Sequence, residues 1–206
     1  MIVVIDYGVG NLGSIANMLK KVRAKAIVSS DIADIERADK LILPGVGAFD
    51  NGMKNLNDLG LIPVLSDKVL RRKTPILGLC LGMHLLTLRS EEGTLPGLGW
   101  IEADTIRFRF DQMQPGLKVP HMGWNFIRIK QPSPIWKDLD AEETRFYFVH
   151  SFHVVCHNDD NVLATAVYGY EFTSAVIKGN IVGTQFHPEK SHKFGMKLLK
   201  NFAERF

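Results

Sequence analysis

The hydrophobic pattern of the chain changes character near its middle. Over the first 90 residues, short apolar runs alternate with stretches of helical period. Positions 2–5, 26–29, 41–43 and 75–79 read as strands, and 14–22, 61–72 and the residues from 81 onward as helices. The strands lack polar alternation, as strands covered on both faces do. Strand and helix in alternation predict a parallel sheet with helices on both sides. After Glu91-Glu92-Gly93, helix signals are scarce until 193–206, where Leu198, Leu199 and Phe202 mark an inward face. Between them, strand-like runs fall at 105–110, 126–130, 145–149, 152–156, 162–167, 172–177 and 181–186, which predicts an antiparallel sheet layered on the parallel one. No repeat or long linker divides the chain. The expected architecture is a single α/β domain over 1–206, with a mostly parallel central sheet flanked by helices and an additional antiparallel sheet.

Composition narrows the function classes. The 206 residues are 46% hydrophobic and 23% charged, with a net charge of +3. That balance fits a globular domain and is too small to argue for nucleic acid. The basic groups Arg71-Arg72-Lys73 and Lys190, Lys193, Lys197 and Lys200 read as solvated helix faces, with a docking surface as the second reading. Two cysteines cannot build a disulfide scaffold, so a reducing compartment is expected. No basic leader or long apolar run is present, so neither a signal peptide nor a membrane span is expected, and the reading is cytoplasmic.

The chemistry centres on Gly78-Leu-Cys80-Leu-Gly82, where an apolar strand meets a helix. Glycines two residues to either side of a nucleophile allow a sharp strand-to-helix corner that pushes the side chain out of the sheet edge. The helix start favours a thiolate at Cys80. A buried structural cysteine is the bland alternative. Leu81, Leu85 and Leu88, with Leu86 beside them, read as the apolar face of the helix that follows. A thiolate needs a proton shuttle, and His187 is the best placed of seven histidines, since it ends a strand and Pro188 holds it extended. Glu189 is placed to orient it. Pro44-Gly-Val-Gly47 closes the third strand, and its two glycines let backbone N–H groups turn toward a cavity, as an oxyanion hole requires. Gly8, Gly10 and Gly13 match G-x-G-x-x-G after a strand, with Asp31 about 20 residues on, after the second strand at 26–29, which opens a dinucleotide reading. Close packing at a strand–helix turn is the competing one. His150, His153, Cys156 and His157 resemble a metal cluster, but alternation along one strand sends them to opposite faces, so no metal is expected.

Taken in order, Asp6–Gly13, Leu43–Phe49, Gly78–Met83, Glu91–Gly93, Val119–Asn125, Phe146–Ser151 and Gly183–Ser191 resemble the class I, triad-type glutamine amidotransferases over nearly the whole chain. His121-Met-Gly-Trp-Asn125 and Phe148-Val-His-Ser151 narrow the likeness to glutaminase subunits of imidazole glycerol phosphate synthases. The resemblance implies that Cys80 attacks the amide of L-glutamine to form a thioester, that His187 moves the proton and that Glu189 holds His187. It implies oxyanion N–H groups from Leu81 and Val46. It implies a substrate pocket of Gly45, Gly47, His84, Glu92, His150, Ser151 and Phe152. It assigns Asn11, Trp124, Tyr147 and Lys190 to the face and ammonia gate toward a (βα)8-barrel synthase, in a heterodimer that makes imidazole glycerol phosphate and AICAR. No cofactor is implied, and the dinucleotide reading falls away.

Two positions depart from the family pattern. His84 stands where glutamine is usual, and Phe152 where tyrosine is frequent. His84 keeps a hydrogen-bonding group but not the paired donor and acceptor of an amide. His84 and Trp100 lean toward a paralogue that supplies ammonia to a sugar amidotransferase of surface-polysaccharide synthesis. Two further readings compete: a docking module without catalysis, and a cysteine hydrolase of peptides or small amides.

Overall fold

The computed structural model describes residues 1–110, 116–140 and 142–206. The first half contains β1 (Ile2–Ile5), α1 (Leu12–Lys21), β2 (Ala26–Ser29), α2 (Ile32–Arg37), β3 (Lys40–Leu43), α3 (Phe49–Asp58), α4 (Leu61–Ser66), β4 (Ile76–Leu79), α5 (Leu81–Leu85) and β5 (Arg89–Ser90). The second contains β6 (Ala103–Arg107), β7 (His121–Phe126), β8 (Arg128–Ile129), β9 (Arg145–His150), β10 (Phe152–Cys156), β11 (Val162–Tyr168), β12 (Tyr170–Lys178), β13 (Ile181–Thr184) and α6 (His192–Arg205).

The main sheet runs β2-β1-β3-β4-β13-β12-β10-β6-β5, with β11 and β8 attached beside β12. Its first five strands are parallel; β12 then turns the sheet antiparallel. Successive residues of β1 serve opposite faces. Ile2 and Val4 pack with α1 and α6 through Ile15, Leu19, Leu198 and Phe202, whereas Val3 and Ile5 pack with α3 to α5 through Phe49, Leu56 and Leu81. Burial on both faces explains why these strands read as unbroken apolar runs. The separate antiparallel sheet exists as the two-stranded ribbon β7–β9. The remaining antiparallel strands are not layered on the parallel sheet as expected. They extend it edge to edge, because β12 pairs with both β13 and β11.

Three local differences have physical causes. The helical pattern of 61–72 splits into α4 and a wider turn at Asp67–Arg71, where Asp67 pairs with both Arg71 and Arg72. Arg71 and Arg72 of the first basic cluster are therefore paired within their own helical segment. The short α2 and α3 were not visible in the pattern. Asp31 caps α2 by accepting the Ala33 N–H at 2.7 Å, and Gly52 interrupts the apolar face of α3 so that Leu85 can approach. Finally, α5 ends at Leu85 and Leu88 is exposed. The backbone N–H groups of Gly97, Leu98, Gly99 and Trp100 take the carbonyls of Leu88, Leu85, Thr87 and Leu86, which terminates the helix.

The glycines of the 8–13 loop serve the fold. Gly8 and Gly10 have positive φ, and a Cβ on Gly10 would lie 3.1 Å from Pro44 Cβ, so this loop packs against the end of β3. Nothing lies within 4 Å of a Cβ on Gly13. Gly82 is the opposite case, since its Cβ would fall 1.9 Å from the Leu43 carbonyl oxygen. In denaturant unfolding, Gly82→Ala is expected to cost about 3 kcal/mol or more, whereas Gly13→Ala should stabilise α1 by about 0.5–1 kcal/mol. Equal tolerance at both positions would contradict this packing.

Candidate active site

Cys80 sits at the corner between β4 and α5 with φ 51 and ψ −108, a conformation rarely adopted by a side-chain-bearing residue. The strain is held from both ends. Its N–H continues the β4–β13 ladder to the Thr184 carbonyl at 2.7 Å, and its own carbonyl accepts the Met83 and His84 N–H groups at 2.9 and 3.2 Å. The flanking glycines are sterically required. A Cβ on Gly78 would meet the Gly82 carbonyl at 2.8 Å, and one on Gly82 would meet β3. Such a conformation costs about 1–3 kcal/mol and persists only where the surroundings enforce it.

His187 is brought to Cys80 by strand pairing. β13 lies parallel to β4, with Gly183 opposite Gly78 and Thr184 opposite Leu79, so both strands end at the same edge. The His187 N–H donates to the Tyr147 carbonyl at 2.9 Å, and Ser191 Oγ donates to the His187 carbonyl at 2.6 Å while accepting the Tyr147 N–H at 3.0 Å. Glu189, in a turn at Pro188–Lys190, accepts the imidazole Nδ1–H at 2.8 Å, and both side chains are only 2% exposed. That bond fixes the tautomer and leaves Nε2 without a hydrogen-bond partner of ordinary geometry. Burial opposes a charge on His187, but the adjacent Cys80 sulfur and Glu189 carboxylate outweigh it and raise its pKa to about 10. The arrangement therefore favours an imidazolium beside sulfur, able to donate a proton to a leaving amine.

Cys80 and His187 open into a cavity of about 310 Å³ lined also by Val46, Gly47, Leu81, His84, Glu92, Pro120, Val149, His150, Ser151 and Phe152. Every expected pocket and oxyanion residue is among them except Gly45. A Cβ on Gly45 would come within 2.7 Å of Leu81 Cβ and 2.8 Å of Gly82 N, so this glycine packs beneath the elbow instead of lining the cavity. Gly47 has φ +108 with open space around it. Glu92 accepts the Phe49 N–H at 3.1 Å, and burial nonetheless pushes its carboxyl above the usual range. A carboxylate so desolvated is matched to an incoming cation, such as an amino-acid ammonium.

Sequence reasoning missed the residues behind this wall. His121 Nδ1 donates to His150 Nε2 at 2.9 Å, and His150 Nδ1 donates to the Phe152 carbonyl at 2.7 Å. Burial lowers the pKa of His121 to about 4 and pushes that of His150 well down, so both rings are neutral. His150 and His153 pack on Phe108 at 5.2 and 4.7 Å, as members of an aromatic cluster. Gln185 is fully buried beside Cys80. It lies within the quoted Gly183–Ser191 motif, but only tertiary packing reveals its neighbour.

Of the expected interface residues, Trp124, Tyr147 and Lys190 cluster. Trp124 stacks on His192 at 5.6 Å, and Lys190 lies over the Tyr147 ring at 5.8 Å. Trp124 is 44% exposed, and Met122 and Phe126 on the same face of β7 are 61% and 52% exposed. Asn11 caps α1, accepting the Ser14 N–H at 3.3 Å, in the loop that abuts Pro44. Among the described residues, no group of three or more His, Cys, Asp or Glu side chains could hold a metal, and no helix is long and apolar enough to cross a membrane.

A family model described as glutamine amidotransferase class-I matches residues 3–206. An imidazole glycerol phosphate synthase subunit HisH 2 from Methanococcus maripaludis is 55% identical over 205 residues, covering all of both chains. A subunit of the same name from Pseudomonas aeruginosa is 54% identical, covering 99% of each chain. Among solved structures, PurLQS from Thermotoga maritima aligns with TM-score 0.70 at 19% identity, covering 98% of this chain and 96% of that one, a likeness of fold.

Because the Glu189 charge helps to raise His187, Glu189→Gln should lower the His187 titration midpoint from about 10 toward the free-imidazole value. NMR of the ring resonances would read this directly. A raised pKa stabilises the fold fully below the unfolded value of about 6.5. The stability advantage of the wild type over Glu189→Gln should then shrink as pH rises toward about 10. An unchanged midpoint would separate Glu189 from the imidazole.

Proposed function

The chain belongs to the class-I glutamine amidotransferase family, and from that premise we infer that it is the glutaminase subunit of an imidazole glycerol phosphate synthase in histidine biosynthesis. The observation that carries the reading is the joint presence of Cys80, the His187–Glu189 pair and Glu92 around one cavity. The Cys80 thiolate attacks the side-chain carbonyl carbon of glutamine, and backbone N–H groups of Leu81 and Val46 receive the oxyanion. The imidazolium of His187 protonates the departing amine, leaving a glutamyl thioester that water hydrolyses to glutamate. Glu92 takes the substrate ammonium, and His84, His150, Ser151 and Phe152 complete the wall.

Ammonia released into bulk water near neutral pH would be protonated and lost as a nucleophile, so a sealed route to a partner is chemically required. The exposed apolar face of Met122, Trp124 and Phe126, flanked by Tyr147 and Lys190, supports docking of a (βα)8-barrel synthase there. The names of the relatives favour this partner over a sugar amidotransferase. Gly47 supplies a hinge for Val46, while Gly45 is pinned beneath Leu81, so partner docking would set the oxyanion loop through a single glycine.

The purified chain alone should be a poor glutaminase. A barrel synthase should raise its turnover by about 10² or more, the effect of restoring one oxyanion donor. Full turnover without a partner, or activation only by a sugar amidotransferase, would overturn the assignment. Cys80→Ala should abolish glutamine-dependent synthesis while ammonia-dependent synthesis by the partner survives. Trp124→Ala should weaken partner binding by about 2 kcal/mol, measured by calorimetry.

A further inference from the structure

His84 does more than line the cavity. Its Nε2 lies 2.9 Å from Gln185 Oε1, and the Gln185 Nε2 amide points at Cys80 Sγ from 3.9 Å. His84 and Gln185 are both buried, so neither bond competes with bulk water. An amide has one accepting and one donating end. With its oxygen committed to His84, Gln185 must turn N–H toward sulfur, and His84 must carry its ring proton on Nε2. Burial lowers the pKa of His84 to about 4, so the ring is neutral and holds only that one proton. Sulfur has a second neighbour, the Val149 carbonyl at 4.0 Å. A thiol can donate to that oxygen, whereas a thiolate gains only from an N–H. The two contacts thus correspond to the two protonation states of Cys80.

We propose that His84 is a positioning residue for the nucleophile: it locks the Gln185 side-chain amide in the orientation that presents a hydrogen-bond donor to the Cys80 thiolate. The proposal rests on Cys80 being the reactive thiol. Without a donor at position 84, the Gln185 amide can reverse and place its carbonyl oxygen against sulfur, which disfavours the thiolate. A glutamine at position 84 can also donate, so His84→Gln preserves the lock, whereas His84→Leu breaks it. Gln185→Leu removes the donor at sulfur and leaves His84 in place.

The test is the rate of Cys80 alkylation by iodoacetamide as a function of pH, read on the full chain by mass spectrometry. The other titratable groups near sulfur are Tyr7, Glu92, His150, His187 and Glu189, and all are unchanged in these variants. The acid limb of the profile should move up by about one pH unit in His84→Leu and in Gln185→Leu, the effect of losing one hydrogen bond to a charged group. It should stay at the wild-type position in His84→Gln. With the partner synthase present, kcat should fall about tenfold in Gln185→Leu, a position absent from the cavity lining, with little change in KM for glutamine. A merely structural role would lower melting temperature and active fraction without moving the limb. If His84→Leu does not fold, Gln185→Leu decides alone. A wild-type profile in Gln185→Leu, or a shift in His84→Gln equal to that of His84→Leu, would overturn the lock while leaving the glutaminase reading intact. An unreactive Cys80 in the wild type would overturn both.

Discussion

The parallel pairing of β4 with β13 is the constraint on which the site depends. These strands are far apart in sequence, yet their register sets Leu79 opposite Thr184, and the next bond in the ladder runs from the Cys80 N–H to the Thr184 carbonyl. Cys80 and His187 therefore leave the sheet at one edge, from neighbouring strands. β3 lies on the other side of β4, with Leu43 opposite Gly78, and delivers the Pro44–Gly47 loop to the same edge. A crevice at the carboxyl ends of parallel strands follows from this topology. A shift by one residue in the β4–β13 register would turn every side chain of one strand to the other face and separate sulfur from imidazole.

Much of this was legible in the residues. The apolar runs of β1, β3 and β4, the Gly78-x-Cys80-x-Gly82 elbow and the extended His187-Pro188 step each carry a local physical signature. What local patterning could not supply was edge-to-edge continuity: nothing in the runs after position 100 says whether they stack on the parallel sheet or extend it. The Gly8-x-Gly10-x-x-Gly13 pattern shows the converse. Its glycines have the dinucleotide spacing, but Asp31 is committed to capping α2 and a Cβ on Gly13 would meet nothing, so the spacing serves a turn against Pro44. Gly45 and Gly47 read alike in sequence and differ in the fold: a Cβ on Gly45 would collide with Leu81, whereas Gly47 has φ +108 with open space around it. Gln185 and His121 fall within family-like motifs, but nothing local marks what they bond, because their partners lie more than 25 residues away.

The β7–β9 ribbon joins the two halves of the proposed function. Its outer face carries the exposed Met122, Trp124 and Phe126. Its inner face carries His121, bonded to His150 in the cavity wall, and Asn125, whose amide holds the Val167 carbonyl at 2.8 Å. The Tyr147 backbone carbonyl accepts the N–H of His187 itself. A partner pressing on the outer face would act on a ribbon already bonded to His187 and to His150 of the cavity wall. Cys156, by contrast, shows what an unassisted thiol experiences here: burial and then nearby Asp159 push it up to about 12. Cys80 instead shares its cavity with His187 and has the Gln185 amide 3.9 Å from its sulfur.

The most direct test of this account is the mass of the Cys80 peptide from enzyme acid-quenched during glutamine turnover in complex with a barrel synthase. The account predicts a glutamyl thioester on Cys80 in the wild type, none on Cys156, and loss of the adduct in His187→Asn. An adduct that accumulates equally without the imidazole, or that maps to another residue, would contradict it.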